Sequence, residues 1–213
     1  MKIAVLSYPR TGSTKLCSVL RNSFELHNYN EPLDGGIFSS ISSNFKKIQD
    51  IDTYSNCIIK FHSVHFFGLD LHSINWKMFD LICATYRNNL VDAFISESIA
   101  FTRNNWIKMP NDTWDIRPFV VDLSIIHVCK WYEFNVVKFK LMLLLIQQYM
   151  PVFKFEYSEI NNHLLLVKKM KEYHLPINNL GEVPSVPTGI NYKEKCLNYD
   201  KVEEKFKELG YIT

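Results

Sequence analysis

Two stretches of the chain carry side chains suited to holding phosphate. The first is SYPRTGST, residues 7–14, which follows the apolar run Ile3–Leu6 and precedes Leu16, Val19, Leu20 and Phe24 at helical spacing. A strand that turns tightly into a helix aims backbone N–H groups, and the partly positive helix end, at an anion. Against the pattern G-x-x-x-x-G-K-[ST], Ser7 replaces the first glycine and Gly12 keeps the second. Ser13 stands where the lysine belongs, and the basic residue has moved back to Arg10. Gly12 permits close backbone approach, Ser13 and Thr14 offer hydroxyls, and Thr14 can cap the helix. The plainer alternative is an ordinary strand-to-helix turn.

The second stretch is YRNNLVDAFISESIA, residues 86–100. Arg87 ends an apolar run, and Ser96 follows nine residues later in a helical pattern. Guanidinium binds phosphate through a fork of donors, and Ser96 can add a hydroxyl to the same anion. Taken alone, the two residues read as a surface arginine and a helical serine. Together with the first loop they describe two phosphate positions on one nucleotide. Metal-dependent phosphoryl transfer calls for an acid at the end of a neighbouring strand. The runs CIIKFH and LICATYR end in His62 and Arg87 instead. No metal is therefore expected. His62 and His65 make a pair, but no third ligand is evident.

The elements that must position these residues follow from hydrophobic patterning. Lys2–Ser7, Cys57–Phe61, Leu81–Tyr86 and Val152–Glu156 are short runs rich in Ile, Val, Phe or Tyr, as buried strands are. Helical spacing follows the first loop and recurs at Val91, Phe94, Ile95 and Ser98. A long segment from about Phe119 to Tyr149 reads as one helix or two joined helices, with His163–His174 and Asp200–Leu209 as shorter ones. Alternation of strands and helices predicts an α/β fold with a P-loop-like parallel sheet of about four to five strands, flanked by helices on both faces. Such sheets bind ligands at the carboxyl ends of their strands, which here carry Arg10, His62 and Arg87. Asn30–Asn56 and Thr102–Pro118 lack regular pattern and are long enough to be functional loops.

The chain has 213 residues, with 47% hydrophobic and 22% charged, which fits a single globular domain over 1–213. A net charge of +2 gives no sign of a nucleic-acid polymer as partner. Five cysteines without a C-x-x-C pair predict free thiols in a reducing, cytoplasmic compartment. The first apolar run is too short for a signal peptide. Leu141–Ile146 is far below membrane-spanning length. The segment around Trp131, Tyr132 and Phe134 reads as core or as the surface of a homodimer.

YPRTGST with KLCSVL, and then YRNNLVDAFIS, resemble the two nucleotide signatures of the sulfotransferases that use 3′-phosphoadenosine 5′-phosphosulfate. Asn30–Leu33 (NEPL) is similar to the acidic segment of the carbohydrate-type branch, and Lys60–His62 (KFH) to the K-x-H strand end of the cytosolic branch. Phe155–Ile160 (FEYSEI) and Asn198–Val202 (NYDKV) resemble later segments of the family, the last one found in small bacterial and phage members. Asn89 replaces the usual proline after the Arg-Asn pair, and no clear copy of the C-terminal Arg-Lys-Gly motif is seen, so Lys193 or Lys195 would stand in.

The resemblance implies a metal-independent in-line transfer of a sulfuryl group to a hydroxyl of a small-molecule or carbohydrate acceptor. It puts Arg10 at the leaving phosphate, Thr11, Gly12, Ser13 and Thr14 around the 5′-phosphate, and Arg87, Ser96 and Lys193 with the 3′-phosphate. Lys60 joins the catalytic set. The general base is Glu31, by the carbohydrate-branch position, or His62, by the cytosolic one; histidine is the side chain that titrates near neutral pH. Glu31 reads otherwise as a solvated loop carboxylate, and His62 as packing on Phe61, Phe66 and Phe67. Trp106 and Trp114 either stack on the acceptor or cover core. Two other classes stay open: a divergent P-loop nucleotide kinase and a catalytically silent nucleotide-binding module.

Overall fold

The computed structural model describes residues 1–28, 50–66, 70–103, 117–177 and 191–213. The chain divides into two compact units, Met1–Arg87 with Glu133–Val183, and Asn88–Tyr132 with Pro184–Thr213.

The first unit is built on a parallel sheet with helices around it. Its strands are β1 (Lys2–Ser7), β2 (His27–Asn28), β3 (Cys57–His62), β4 (Leu81–Tyr86) and β5 (Val152–Glu156), in the order β2-β3-β1-β4-β5. β1 lies at the centre, with Ser7 opposite His62 on β3 and opposite Thr85 on β4. The chain runs from β1 to one side and later returns to the other, so the strand order reverses at β1, and open parallel sheets bind ligands at the carboxyl end of such a reversal. Three of the four expected strands have their predicted bounds, and β3 runs one residue further, to His62.

Alternation along the strands sends Ile3, Val5, Ile58, Leu81, Cys83 and Phe155 to one face. There they pack on Leu16, Cys17, Val19 and Leu20 of α1 (Ser13–Phe24). Ile160 of α5 (Tyr157–Asn161) and Leu166 and Met170 of α6 (His163–Glu172) complete that cluster. On the other face Phe61 meets the rings of Phe66 and Phe79, and Trp76 lies against both of those. Phe139, on the helix Lys138–Ile146, packs edge-on against Tyr8 at 5.4 Å. A capping box at Glu156 and Glu159 starts α5 directly at the end of β5.

In the second unit α2 (Leu90–Arg103) carries Phe94, which contacts Trp131 of α3 (Ile125–Tyr132) and Phe206 of the helix Tyr199–Glu208. The segment expected to be helical from Phe119 begins only at Ile125. The reason is hydrogen bonding. Phe119 forms a bridge with Cys196, and Asn198 holds both the N–H and the carbonyl of Val121, so these groups are satisfied outside a helix. After α3 the chain re-enters the first unit at a π-helical turn, Glu133–Val137, which leads into α4 (Lys138–Ile146). Two further helices, α7 (Tyr192–Lys195) and α8 (Tyr199–Glu208), close the chain.

All five cysteines are free thiols, with Cys129 half-buried and the others buried. No helix among the described residues is long and apolar enough to cross a membrane.

Candidate functional site

At the end of β1 the chain turns through Tyr8–Gly12 into α1. Two residues of the turn are left-handed, Arg10 at φ 66° and Gly12 at φ 79°. For a residue with a Cβ that conformation costs about 1–2 kcal/mol, so the surroundings of Arg10 must impose it. Thr11 supplies part of that constraint. Its hydroxyl donates to the Tyr8 carbonyl at 2.9 Å and meets the Thr85 hydroxyl at 2.6 Å. With the Thr11 proton used on the carbonyl, Thr85 is the donor in the second bond. The Thr11 hydroxyl is thus part of the loop's own framework, and what it can offer a ligand is its N–H.

Gly12 is the N-cap of α1, with no side chain capping the helix. The reading of Thr14 as a cap is therefore corrected: Thr14 is the second helical residue, and its hydroxyl accepts from Lys60 Nζ at 3.1 Å. Among the described residues no hydrogen-bond acceptor takes the N–H groups of Gly12, Ser13 and Thr14, as is usual in a first helical turn. A Cβ at Gly12 would lie 3.4 Å from both Ile160 Cγ2 and Tyr157 Cδ2, an ordinary contact. The glycine is needed for its φ and not for space.

Cations stand around this turn. Lys60, on β3, is only 5% exposed and reaches the start of α1 through Thr14. Arg87, beyond β4, is 7% exposed, and its guanidinium lies 4.3 Å from the centre of the Tyr157 ring. The buried Tyr8 hydroxyl accepts from the Arg87 N–H and donates to the Arg87 carbonyl, each at 2.9 Å. The first unit therefore brings Arg10, Thr11, Gly12, Ser13, Thr14, Lys60 and Arg87 to one end of its sheet. His62 is there too, half-buried, with Nδ1 at 2.8 Å from Ser7 Oγ. Beside Arg87, burial and then the Glu159 and Glu156 carboxylates push the Tyr86 phenol up.

The remaining candidates fall elsewhere. Glu31, Trp106 and Trp114 lie outside the described residues, as does the side chain of His65. Ser96 and Lys193 belong to the second unit. Ser96 is buried on α2 and accepts from the Tyr192 hydroxyl at 2.9 Å. Lys193 is exposed on α7, close enough to Glu203 to help hold that carboxyl below its usual range, behind the larger effect of Lys207. A cleft of about 180 Å³ in the second unit, lined by residues that include Ile99, Phe119, Val121 and His127, contains none of the candidate residues.

Several residues with clear roles in this geometry had no such role in the sequence reading. Tyr8 and Tyr157 fix and stack on Arg87, Ser7 holds His62, and Tyr192 holds Ser96. One signal was present for Tyr8: a tyrosine directly after a buried strand needs a partner for its hydroxyl. Among the described residues, no three His, Cys, Asp or Glu side chains gather as a metal site. The Glu156 carboxylate that ends β5 is engaged with the Ser158 N–H. No protein-family model matches the chain, and no curated protein matches it.

Proposed function

We propose that the chain is a sulfotransferase that binds 3′-phosphoadenosine 5′-phosphosulfate and transfers its sulfuryl group to a hydroxyl of a small-molecule or carbohydrate acceptor. The observation that carries this reading is the turn between β1 and α1. It combines two left-handed residues with first-turn N–H groups that have no acceptor among the described residues, next to the buried cation of Lys60. That set suits a phosphate oxygen cradle.

The donor supplies an activated sulfuryl group on a phosphate bridge. Gly12, Ser13 and Thr14 bind the 5′-phosphate through backbone N–H groups. Arg10 and Lys60 place positive charge where negative charge grows on the leaving phosphate. Arg87, held by Tyr8 and backed by Tyr157, forks onto the 3′-phosphate. A base takes the acceptor proton; His62 stands at the end of β3 for this task, and Glu31 is the other candidate. A sulfuryl group carries less charge than a terminal phosphoryl group, so fixed cations suffice at the loop.

Calorimetric titration with 3′,5′-adenosine bisphosphate tests the proposal before any acceptor is known. Saturable binding by the native chain, weakened in Arg10→Ala and Arg87→Ala, supports it. A folded protein that does not bind the bisphosphate, or that binds ATP more tightly only when Mg²⁺ is added, overturns it. Transfer of labelled sulfate to an acceptor panel then separates an enzyme from a silent binding module.

A further inference from the structure

Ser7 and His62 sit opposite each other in the register of β1 and β3. Ser7 is fully buried, and its hydroxyl makes two contacts, one to the Phe61 carbonyl at 3.3 Å and one to His62 Nδ1 at 2.8 Å. A carbonyl oxygen only accepts, and a serine hydroxyl has one proton. Both bonds form together only if Ser7 donates to Phe61 and His62 Nδ1–H donates to Ser7. The partner of one ring nitrogen decides the state of the other. We infer that Ser7 is a positioning residue that holds neutral His62 in its Nδ1–H tautomer and so leaves Nε2 as the basic nitrogen. The catalytic consequence rests on the sulfuryl-transfer reading. Nε2 takes the proton of the acceptor hydroxyl as the acceptor oxygen bonds to sulfur and the bridging oxygen departs with the electron pair onto the 5′-phosphate. A serine that donated to Nδ1 would put the proton on Nε2 and disable this step. The tautomer itself does not depend on the reaction.

The experiment is nitrogen NMR of the full chain carrying isotope-labelled histidine, at a pH where the ring is neutral, with His62 assigned by comparison with His62→Gln. The expected pattern is a protonated Nδ1 and an unprotonated Nε2, moving toward Nε2–H in Ser7→Ala and returning in Ser7→Thr. A wild-type ring with its proton on Nε2 overturns the inference, whether or not Ser7→Ala folds; an unchanged pattern in a folded Ser7→Ala does so as well. In sulfuryl transfer, Ser7→Ala lowers kcat on the order of tenfold with the donor KM unchanged. Absence of bisphosphate binding in the same sample removes the catalytic consequence and leaves the tautomer assignment standing.

Discussion

The Tyr8 hydroxyl grips the backbone of Arg87 at both of its polar groups, accepting from the N–H and donating to the carbonyl, each at 2.9 Å. Tyr8 is 2% exposed, so water does not replace it. Tyr8→Phe keeps the ring against Phe139 but removes both bonds. The expected loss is about 2 kcal/mol of stability, read by urea unfolding, because buried backbone groups lose partners. Bisphosphate affinity falls with it, since Arg87 loses its anchor. A variant with wild-type stability and affinity refutes this role.

Gly12→Ala tests the turn itself. The added methyl meets only ordinary contacts at 3.4 Å, but φ stays at +79°. The expected cost is about 1–2 kcal/mol if the turn is kept. If the turn relaxes instead, stability is spared and anion binding is lost. Unfolding and calorimetry on one sample distinguish these outcomes, and a variant that retains both properties contradicts the account.

The strands were legible because their signal is local. Runs such as Ile3–Leu6 and Leu81–Ala84 are apolar throughout and buried on both faces, and they end where polar turn residues begin. His27–Asn28 is two residues long and carries no such signal. A hydroxyl such as that of Thr14 is the commoner helix cap, whereas here a left-handed glycine makes the turn, and residue type alone does not tell the two apart. The loop and Arg87 were legible as residue types. Their supports were not, because the bonds from Tyr8 to Arg87 and from Thr11 to Thr85 span 79 and 74 residues. Nor does any local rule put an arginine at φ 66°. Long-range closure decides such a conformation.

In the second unit Trp131 Nε1–H donates to Glu97 Oε2 at 2.8 Å, inside an aromatic cluster with Phe94 and Phe206. Glu97 is 5% exposed. Trp131→Phe removes a donor from a buried carboxyl and part of the packing. The expected destabilisation is about 2–4 kcal/mol. Glu97→Gln keeps an acceptor for Trp131 and is expected to cost less. Equal losses in chemical denaturation would contradict this account, because Glu97→Gln keeps both the acceptor and the packing.

Stability at high pH is expected to fall through Tyr199. Burial, and then the Asp92 carboxylate that accepts its hydroxyl proton at 3.1 Å, push this phenol from 10.0 up to about 12. Below pH about 10 the group is protonated in both folded and unfolded chains, and its contribution is complete. Between about 10 and 12 the unfolded chain ionises while the folded one does not, so stability declines as pH rises. Tyr211 is raised to about 12 as well, first by its hydrogen bond to Cys129. Tyr199→Phe should therefore shallow the decline without abolishing it. Denaturation at a series of pH values, with phenolate absorbance followed in parallel, reads the effect, and an unchanged slope sinks the assignment.

Arg10 and Arg87 are expected to respond differently to substitution by lysine. Arg87 acts through its planar fork and through its place over Tyr157, at 4.3 Å from the ring centre. An ammonium reproduces neither the fork nor the stacking. Arg87→Lys should weaken 3′,5′-adenosine bisphosphate by roughly tenfold or more, a loss of about 1–3 kcal/mol for a charge-assisted bond. Arg10 has a different task in the proposed reaction, where its charge is needed mainly as the bridge to the phosphate breaks. Arg10→Lys should keep most of the bisphosphate affinity and lower the rate of transfer, the mark of an interaction made chiefly in the transition state. Arg10→Ala loses both the charge and the donors and should be the weaker variant in each assay. Omitting the 3′-phosphate from the ligand supplies the control: adenosine 5′-phosphate should bind the native chain and Arg87→Lys equally. If Arg87→Lys instead weakens both ligands alike, Arg87 does not read the 3′-phosphate, and the two-phosphate assignment of the loop and the arginine fails.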